Sequence, residues 1–425
     1  MKRPCIPAGG AVLALLAFQA AGPAKAATAG DVVRHYADIA HAGYGDSLAL
    51  ARELGAAIDS LLASPSQETL DQARQAWIVA REPYQQTEVY RFGNLAVDEW
   101  EGRVNAWPLD EGLIDYVADL YGEESELNAF YTANVIANPQ LSIGGREIDA
   151  SEITPDLIRS LHEIDEVEAN VSTGYHAIEF LLWGQDLNGT DAGAGERPWT
   201  DFATGDNCTG GNCDRRGAYL EAASTLLVAD LEEMTASWGE GGAARSDLLG
   251  RSPEEGLSVI LTGMGSLSYG EQAGERMQLG LMLHDPEEEH DCFSDNTHNS
   301  HYFDALGIRN VYLGRYVRPD GSEVSGPGLA GLVAAHDPEL DKEMQAKLEA
   351  TMAAMETLKE TAEGGMAYDQ MIGSGNDEGN AIVQAAIDGL VDQTRSIERI
   401  VSALGLERIE FEGSDSLDNP QAVFQ

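Results

Sequence analysis

Apolar residues recur at intervals of three and four along most of this 425-residue chain, the spacing that gathers them on one face of an α-helix. From Asp31 to Leu62 this places Val33, Tyr36, Ile39 and Ala40 together. From Thr69 to Phe92 it continues through Leu70, Ala73, Ala76, Trp77 and Ala80. Two long amphipathic helices therefore open the chain. A less regular stretch follows from Gly93 to Pro155, with Trp107-Pro108 and a turn at Gly144-Gly145. Thr154 and Pro155 then read as an N-cap and a first helical residue, starting a helix through Leu161. Another is expected from about Val167 to Trp183.

The glycine-rich stretch from Gly184 to Gly211 is the natural join between two domains. Beyond it, Arg215 to Trp238 and Glu254 to Leu283 carry the helical period, an irregular insertion runs to Pro327, and helices from Pro338 to Glu363 and Asn380 to Leu404 close the chain. The order helix, helix, irregular insertion, helix, helix thus occurs twice. No strand pattern of useful length is present. The expectation is an all-α chain of two four-helix-bundle-like domains, a duplicated helical bundle, over residues 27–200 and 201–425.

The start of the chain belongs to neither bundle. Lys2 and Arg3, an apolar run from Ala8 to Ala21 and the small-x-small site Ala24-Lys25-Ala26 fit a secretory signal peptide over residues 1–26. The run is too short to span a bilayer, and no later segment offers the 18 or more apolar residues a membrane helix needs. The expectation is a soluble, periplasmic mature chain with no transmembrane segment. Cys208 and Cys213 are expected to pair in that oxidising compartment, stabilising the chain by about 2 kcal/mol across so short a loop. Cys292 is left over, as a buried free thiol rather than a metal ligand, or as the partner of one of the other two.

Charge changes the picture further. The chain has 26 basic and 72 acidic residues, and the signal segment takes three basic and no acidic residues with it, leaving a net charge of −49. Such a surface repels nucleic acid and anionic membranes and concentrates cations. The main reading is a solvated surface adapted to high salt; cation binding is compatible with the charge but not shown by it.

Three clusters carry candidate chemistry. His176 and Glu179, three apart on one helical face, can share a metal ion, and Gly174 just before them lets a ligand or a neighbouring backbone approach closely. A satisfied core histidine is the alternative. The other His-x-x-Glu matches, His284 to Glu287 and His336 to Glu339, are interrupted by Asp-Pro and do not share a helical face. In the second cluster, Arg81, Tyr84 and Glu88 form a polar ridge. It reads as a structural ion pair, or as Glu88 supplying a third oxygen ligand while Arg81 holds a carboxylate. The third cluster, Asp295, His298, His301 and Asp304, drifts round the helix by about 60° per step, so at most two neighbours face one ion. Capping and loop hydrogen bonds explain it equally. Glu271 and Arg276 lie on the helix before it. Zinc-protease His-Glu-x-x-His, Walker, dinucleotide and Gly-x-Ser-x-Gly motifs are all absent.

Taken together, the segments AREPYQQTEVYRF, WPLDEGLIDY, GYHAIEFLLWG, YGEQAGERM, CFSDNTHNSHYFDALGI and NVYLGRY, in that order from Ala80 to Tyr316, resemble the imelysin family, also described as iron-regulated protein A-like or peptidase M75-like. The resemblance implies two helical bundles, a signal peptide and a site near the domain interface that includes Gly174, His176 and Glu179. It also implies one of two roles. The first is metal binding in iron acquisition, with a divalent or ferric ion as ligand, iron favoured and zinc an alternative. Its partners would be the ion or an iron chelate and an outer-membrane or periplasmic protein. The second is a metallopeptidase whose site Glu88 or Asp110 completes. Trp107, Asp110, Glu271, Arg276, Asp295 and His298 lie in the matching segments and join the candidate site.

Overall fold

A computed structural model describes residues 27–122, 124, 125 and 127–424. The signal segment expected over 1–26 lies outside the described residues. Helices dominate. Thr28 and Asp31 form a reciprocal cap at the start of α1 (Ala29–Ala63), and Ser66 with Thr69 does the same for α2 (Gln67–Gln85). Then come α3 (Leu95–Asn105), α4 (Pro155–Leu161), α5 (Gly174–Trp183), α6 (Cys213–Trp238) and α7 (Ala243–Gly250). A long rod begins with α8 (Pro253–Ser266), passes through a π-helical stretch at Leu267–Gln278 and ends in α9 (Leu279–Leu283). The last elements are α10 (Thr297–Leu313), α11 (Leu329–His336), α12 (Pro338–Glu363), α13 (Tyr368–Ile372), α14 (Asp377–Ala403) and the single turn Asp415–Asp418. The β structure among the described residues is two short antiparallel hairpins, Gln140–Ile143 with Arg146–Asp149 and Arg315–Val317 with Glu323–Ser325. The first turns at Gly144-Gly145, where both glycines have positive φ.

The stretches expected to be irregular hold two helices, α3 after Gly93 and α10 before Pro327, and two expected helices are shorter than their periodicity predicts. The periodicity predicts α2 running to Phe92, but it ends at Gln85 and Glu88–Tyr90 form a separate 3-10 turn. Pro83, in its last turn, has no N–H to donate. The helix expected from Val167 starts only at Gly174. Ahead of it the Ser172 and Thr173 hydroxyls donate to the carbonyls of Ile158 and Arg103, so these residues tie neighbouring elements together instead of entering the helix.

The long helix α1 packs against α2, α6 and α8, and α6 packs also against α4 and α5. The glycine-rich stretch before α6 therefore leads back into the group of helices that precedes it. The Cys208–Cys213 disulfide closes the end of that stretch. Farther along, α12 packs against α14 and α10, and α14 lies along the π-helical stretch and α8. Buried apolar side chains from Val32 to Val401 form one contiguous core. Helix α2 joins the two groups, touching α1 and α5 on one side and α10 on the other. Among the described residues no helix is long and apolar enough to cross a membrane.

Candidate metal centre

Helix α5 is buried along its whole length, and its position is set at its first residue. Gly174 has φ +83°, and a Cβ there would lie 2.5 Å from the Val104 carbonyl oxygen at the end of α3. Only glycine allows both the left-handed backbone and that approach. Gly174→Ala should therefore cost about 2–3 kcal/mol through backbone strain and overpacking, read as a lower urea midpoint. An unchanged midpoint would remove this role for Gly174.

One turn further on, His176 Nδ1 lies 2.9 Å from Glu179 Oε2. The other carboxylate oxygen of Glu179 accepts from the Ser294 N–H at 3.0 Å and the Ser294 hydroxyl at 2.7 Å. The Ser294 loop also brings in two residues that spacing did not single out. His290 packs edge-on against His176, ring centres 4.9 Å apart. Asp291 Oδ1 lies 3.6 Å from His290 Nδ1 and 3.9 Å from His176 Nδ1. One ligand atom from each of His176, His290 and Asp291 falls within 4.8 Å of the other two. All four side chains are at most 3% exposed.

Arg81 holds this group from α2. It donates to Asp291 Oδ1 at 2.8 Å and to Asn105 Oδ1, and its guanidinium lies over the rings of Trp77, Tyr84 and Tyr175. Asn296 and Ser300 donate to the second oxygen of Asp291. Burial and the Arg81 charge push His176 down to about 3. Burial and Arg276 hold His290 well below the usual histidine range. Both imidazoles are therefore neutral near pH 7, the form that ligates metals. Burial and the Asp291 charge raise Glu179. Burial would raise Asp291 as well, but Arg81 and His176 hold it below the usual carboxylate range.

The donor set fits a metal ion. His176 Nε2 and His290 Nδ1 are buried with no hydrogen-bond partner among the described residues, a cost of about 1–3 kcal/mol each unless something is bound. Two imidazoles and the Asp291 carboxylate, with Glu179 orienting His176, are the mixed N/O set that iron and zinc accept. A cavity of about 620 Å³ reaches His290 from outside, lined by Trp107 and by Glu101, Glu163, Glu271 and Glu275. The Trp107 ring lies 5.9 Å from that of His290, just before a cis Trp107-Pro108 bond.

Other residues singled out by sequence lie elsewhere. Glu88 is not a third ligand beside His176, because α2 has ended and its Oε2 accepts from Arg276 at 2.7 Å. Arg276 also binds Glu271 and Asp304, so these four form a buried ion-pair network. Asp110 accepts from Asn128 and lines a separate cavity of about 490 Å³ with Cys292. Asp295 has φ +55° ahead of α10 and lies with Glu289 and Asp369, away from His176. His298 contacts Asn299. Cys292 is a free thiol, raised by burial and the Glu179 charge.

Fold and centre together define an all-helical protein with a buried histidine–carboxylate cluster between α2, α5 and the loop before α10. The chain belongs to the imelysin family (peptidase M75), whose model matches residues 40–397. It is 32% identical over 111 residues to iron-regulated protein A of Synechococcus elongatus. That match spans 26% of this chain and 31% of the relative's length. The fold is similar to the crystal structure of a candidate iron-regulated protein A precursor from Parabacteroides distasonis, at 17% identity with a TM-score of 0.62, covering 88% of this chain and 94% of that one. It is similar also to an imelysin-like protein from Psychrobacter arcticum, at 17% identity and a TM-score of 0.57, covering 91% and 100%.

Proposed function

We propose that this protein binds a divalent or ferric metal ion, iron foremost and zinc as an alternative, and serves iron acquisition outside the cytoplasm. His176, Glu179, His290 and Asp291 would hold the ion, with Arg81 positioning Asp291. The convergence of two neutral imidazoles and the Asp291 carboxylate in a buried cluster, with two imidazole nitrogens unpaired, carries the reading. The iron-regulated name of the cyanobacterial relative favours iron, and the acidic lining of the cavity at His290 would draw cations inward. The apolar leader and the Cys208–Cys213 pairing support a periplasmic location. Delivery to or from a periplasmic or outer-membrane partner belongs to the same reading.

A bound metal would supply Lewis acidity, the chemistry a metallopeptidase uses. Peptidase action also needs room for a polypeptide at the ion, and burial of all four side chains at 3% exposure or less argues for holding an ion instead. The test is anaerobic titration of the full mature chain with iron(II), and separately with zinc, after purification without chelators. The wild type should take up one ion per chain, and the His176→Ala, Glu179→Ala double variant should lose it with helical content unchanged. The loaded wild type should leave unstructured peptides uncut. Equal uptake by the double variant would sink the binding role, and peptide cleavage abolished in that variant would replace it with the enzymatic one.

A further inference from the structure

A second group of carboxylates draws on the same loop. Glu289 precedes His290 in the chain, Asp295 stands just ahead of α10, and Asp369 comes from α13. One carboxylate oxygen of each falls within 4.8 Å of the other two. Glu289 is 1% exposed and Asp369 0%, while Asp295 is half-buried and gives the group a way to solvent. Three buried carboxylates this close repel one another strongly unless protonated or neutralised.

The unpaired atoms point to a ligand. Glu289 Oε1 and Asp295 Oδ1 lack a hydrogen-bond partner among the described residues, and the Asp369 carboxylate is met only by backbone N–H groups of its own turn. The fully buried Tyr368 hydroxyl is also unpaired and feels the Glu289 charge. Arg276 and Arg81 are spent on other carboxylates, and the strongest charges acting on Glu289 are Asp369, Asp295 and Asp291. Burial and the neighbouring Asp369 push Asp295 up to about 7, and burial and Asp186 push Asp369 up to about 6.

We infer that Glu289, Asp295 and Asp369 form a second cation site, distinct from the histidine centre, that takes a hard, calcium-like divalent ion. Its donors are all oxygen, the set that calcium prefers and softer metals do not. Calcium–oxygen distances of about 2.3–2.6 Å put opposed ligands roughly 5 Å apart, and the three oxygens lie within that reach of one another. The site joins α13 to the loop that presents His290 and Asp291, so the ion would also brace the first centre.

The test is calcium chloride titration of the full mature chain, stripped with chelator, in potassium chloride high enough to screen the acidic surface. The readouts are equilibrium dialysis and melting temperature. The wild type should bind one calcium per chain that rising potassium chloride does not displace, and its melting temperature should rise with calcium. Asp369→Asn should weaken that binding at least tenfold and melt higher than the wild type in chelator at pH 8, because one repelling charge is gone. Asp295→Asn, at a half-exposed position, gives the same reading should Asp369→Asn fail to fold. His176→Ala should retain the calcium, which separates this site from the iron reading. Absence of saturable calcium binding in the wild type, or undiminished binding in both Asn variants, would overturn the inference.

Discussion

Asp115→Ala is expected to cost about 3–5 kcal/mol, the cost of breaking a buried ion pair and stranding its partners. Asp115 accepts from Arg197 at 2.7 Å and from Arg216 at 2.6 and 2.9 Å. The two guanidiniums are 4% and 0% exposed. Arg197 has one other carboxylate partner, Asp201 at 3.2 Å, itself engaged by Tyr116. Removing Asp115 leaves Arg197 with one partly committed carboxylate and Arg216 with the backbone carbonyls of Asp201 and Gly211. Urea unfolding followed by circular dichroism reads the loss, while iron uptake by the folded fraction should persist. A loss below about 1 kcal/mol would show that water enters and solvates the arginines.

The second large effect falls on the centre. Asp291→Ala should weaken iron(II) or zinc binding by at least about 100-fold, the upper range seen even for groups that only support a metal ligand. It should also lower stability by about 3 kcal/mol, because Arg81 then keeps a buried charge without its carboxylate. Asp291→Asn keeps the shape and part of the hydrogen bonding. It should therefore recover most of the stability without recovering the affinity. Parallel recovery of both would make Asp291 a structural partner of Arg81 rather than a ligand.

The helices were legible where periodicity and caps agreed. Asp337 and Pro338 set the start of α12, Thr154 and Pro155 that of α4, and both begin where the sequence places them. Reading failed where side chains bond across elements. Ser172 and Thr173 look helical by pattern but are spent on distant carbonyls, and α2 ends at Gln85, two residues past Pro83, earlier than its apolar face implies. That early end misplaced Glu88, whose spacing from Arg81 matters only if the helix continues.

Half of the centre was legible. His176 and Glu179 lie on one helical turn, a relation that spacing encodes. His290 and Asp291 sit in an irregular loop with no period, and only the fold brings them to α5. The available signal was position, since they directly precede the Cys292 to Ile308 segment that carries the family resemblance. Asp369 had no local signal, because it meets Glu289 and Asp295 through the packing of the C-terminal helices.

The most direct measurement is anomalous diffraction from crystals of the mature chain loaded with iron(II), collected on both sides of the iron absorption edge. One strong peak is expected among His176, Glu179, His290 and Asp291, and no peak there in crystals of His290→Ala loaded in the same way. A peak at Glu289, Asp295 and Asp369 instead, or on the acidic surface with the histidine cluster left empty, would contradict this placement.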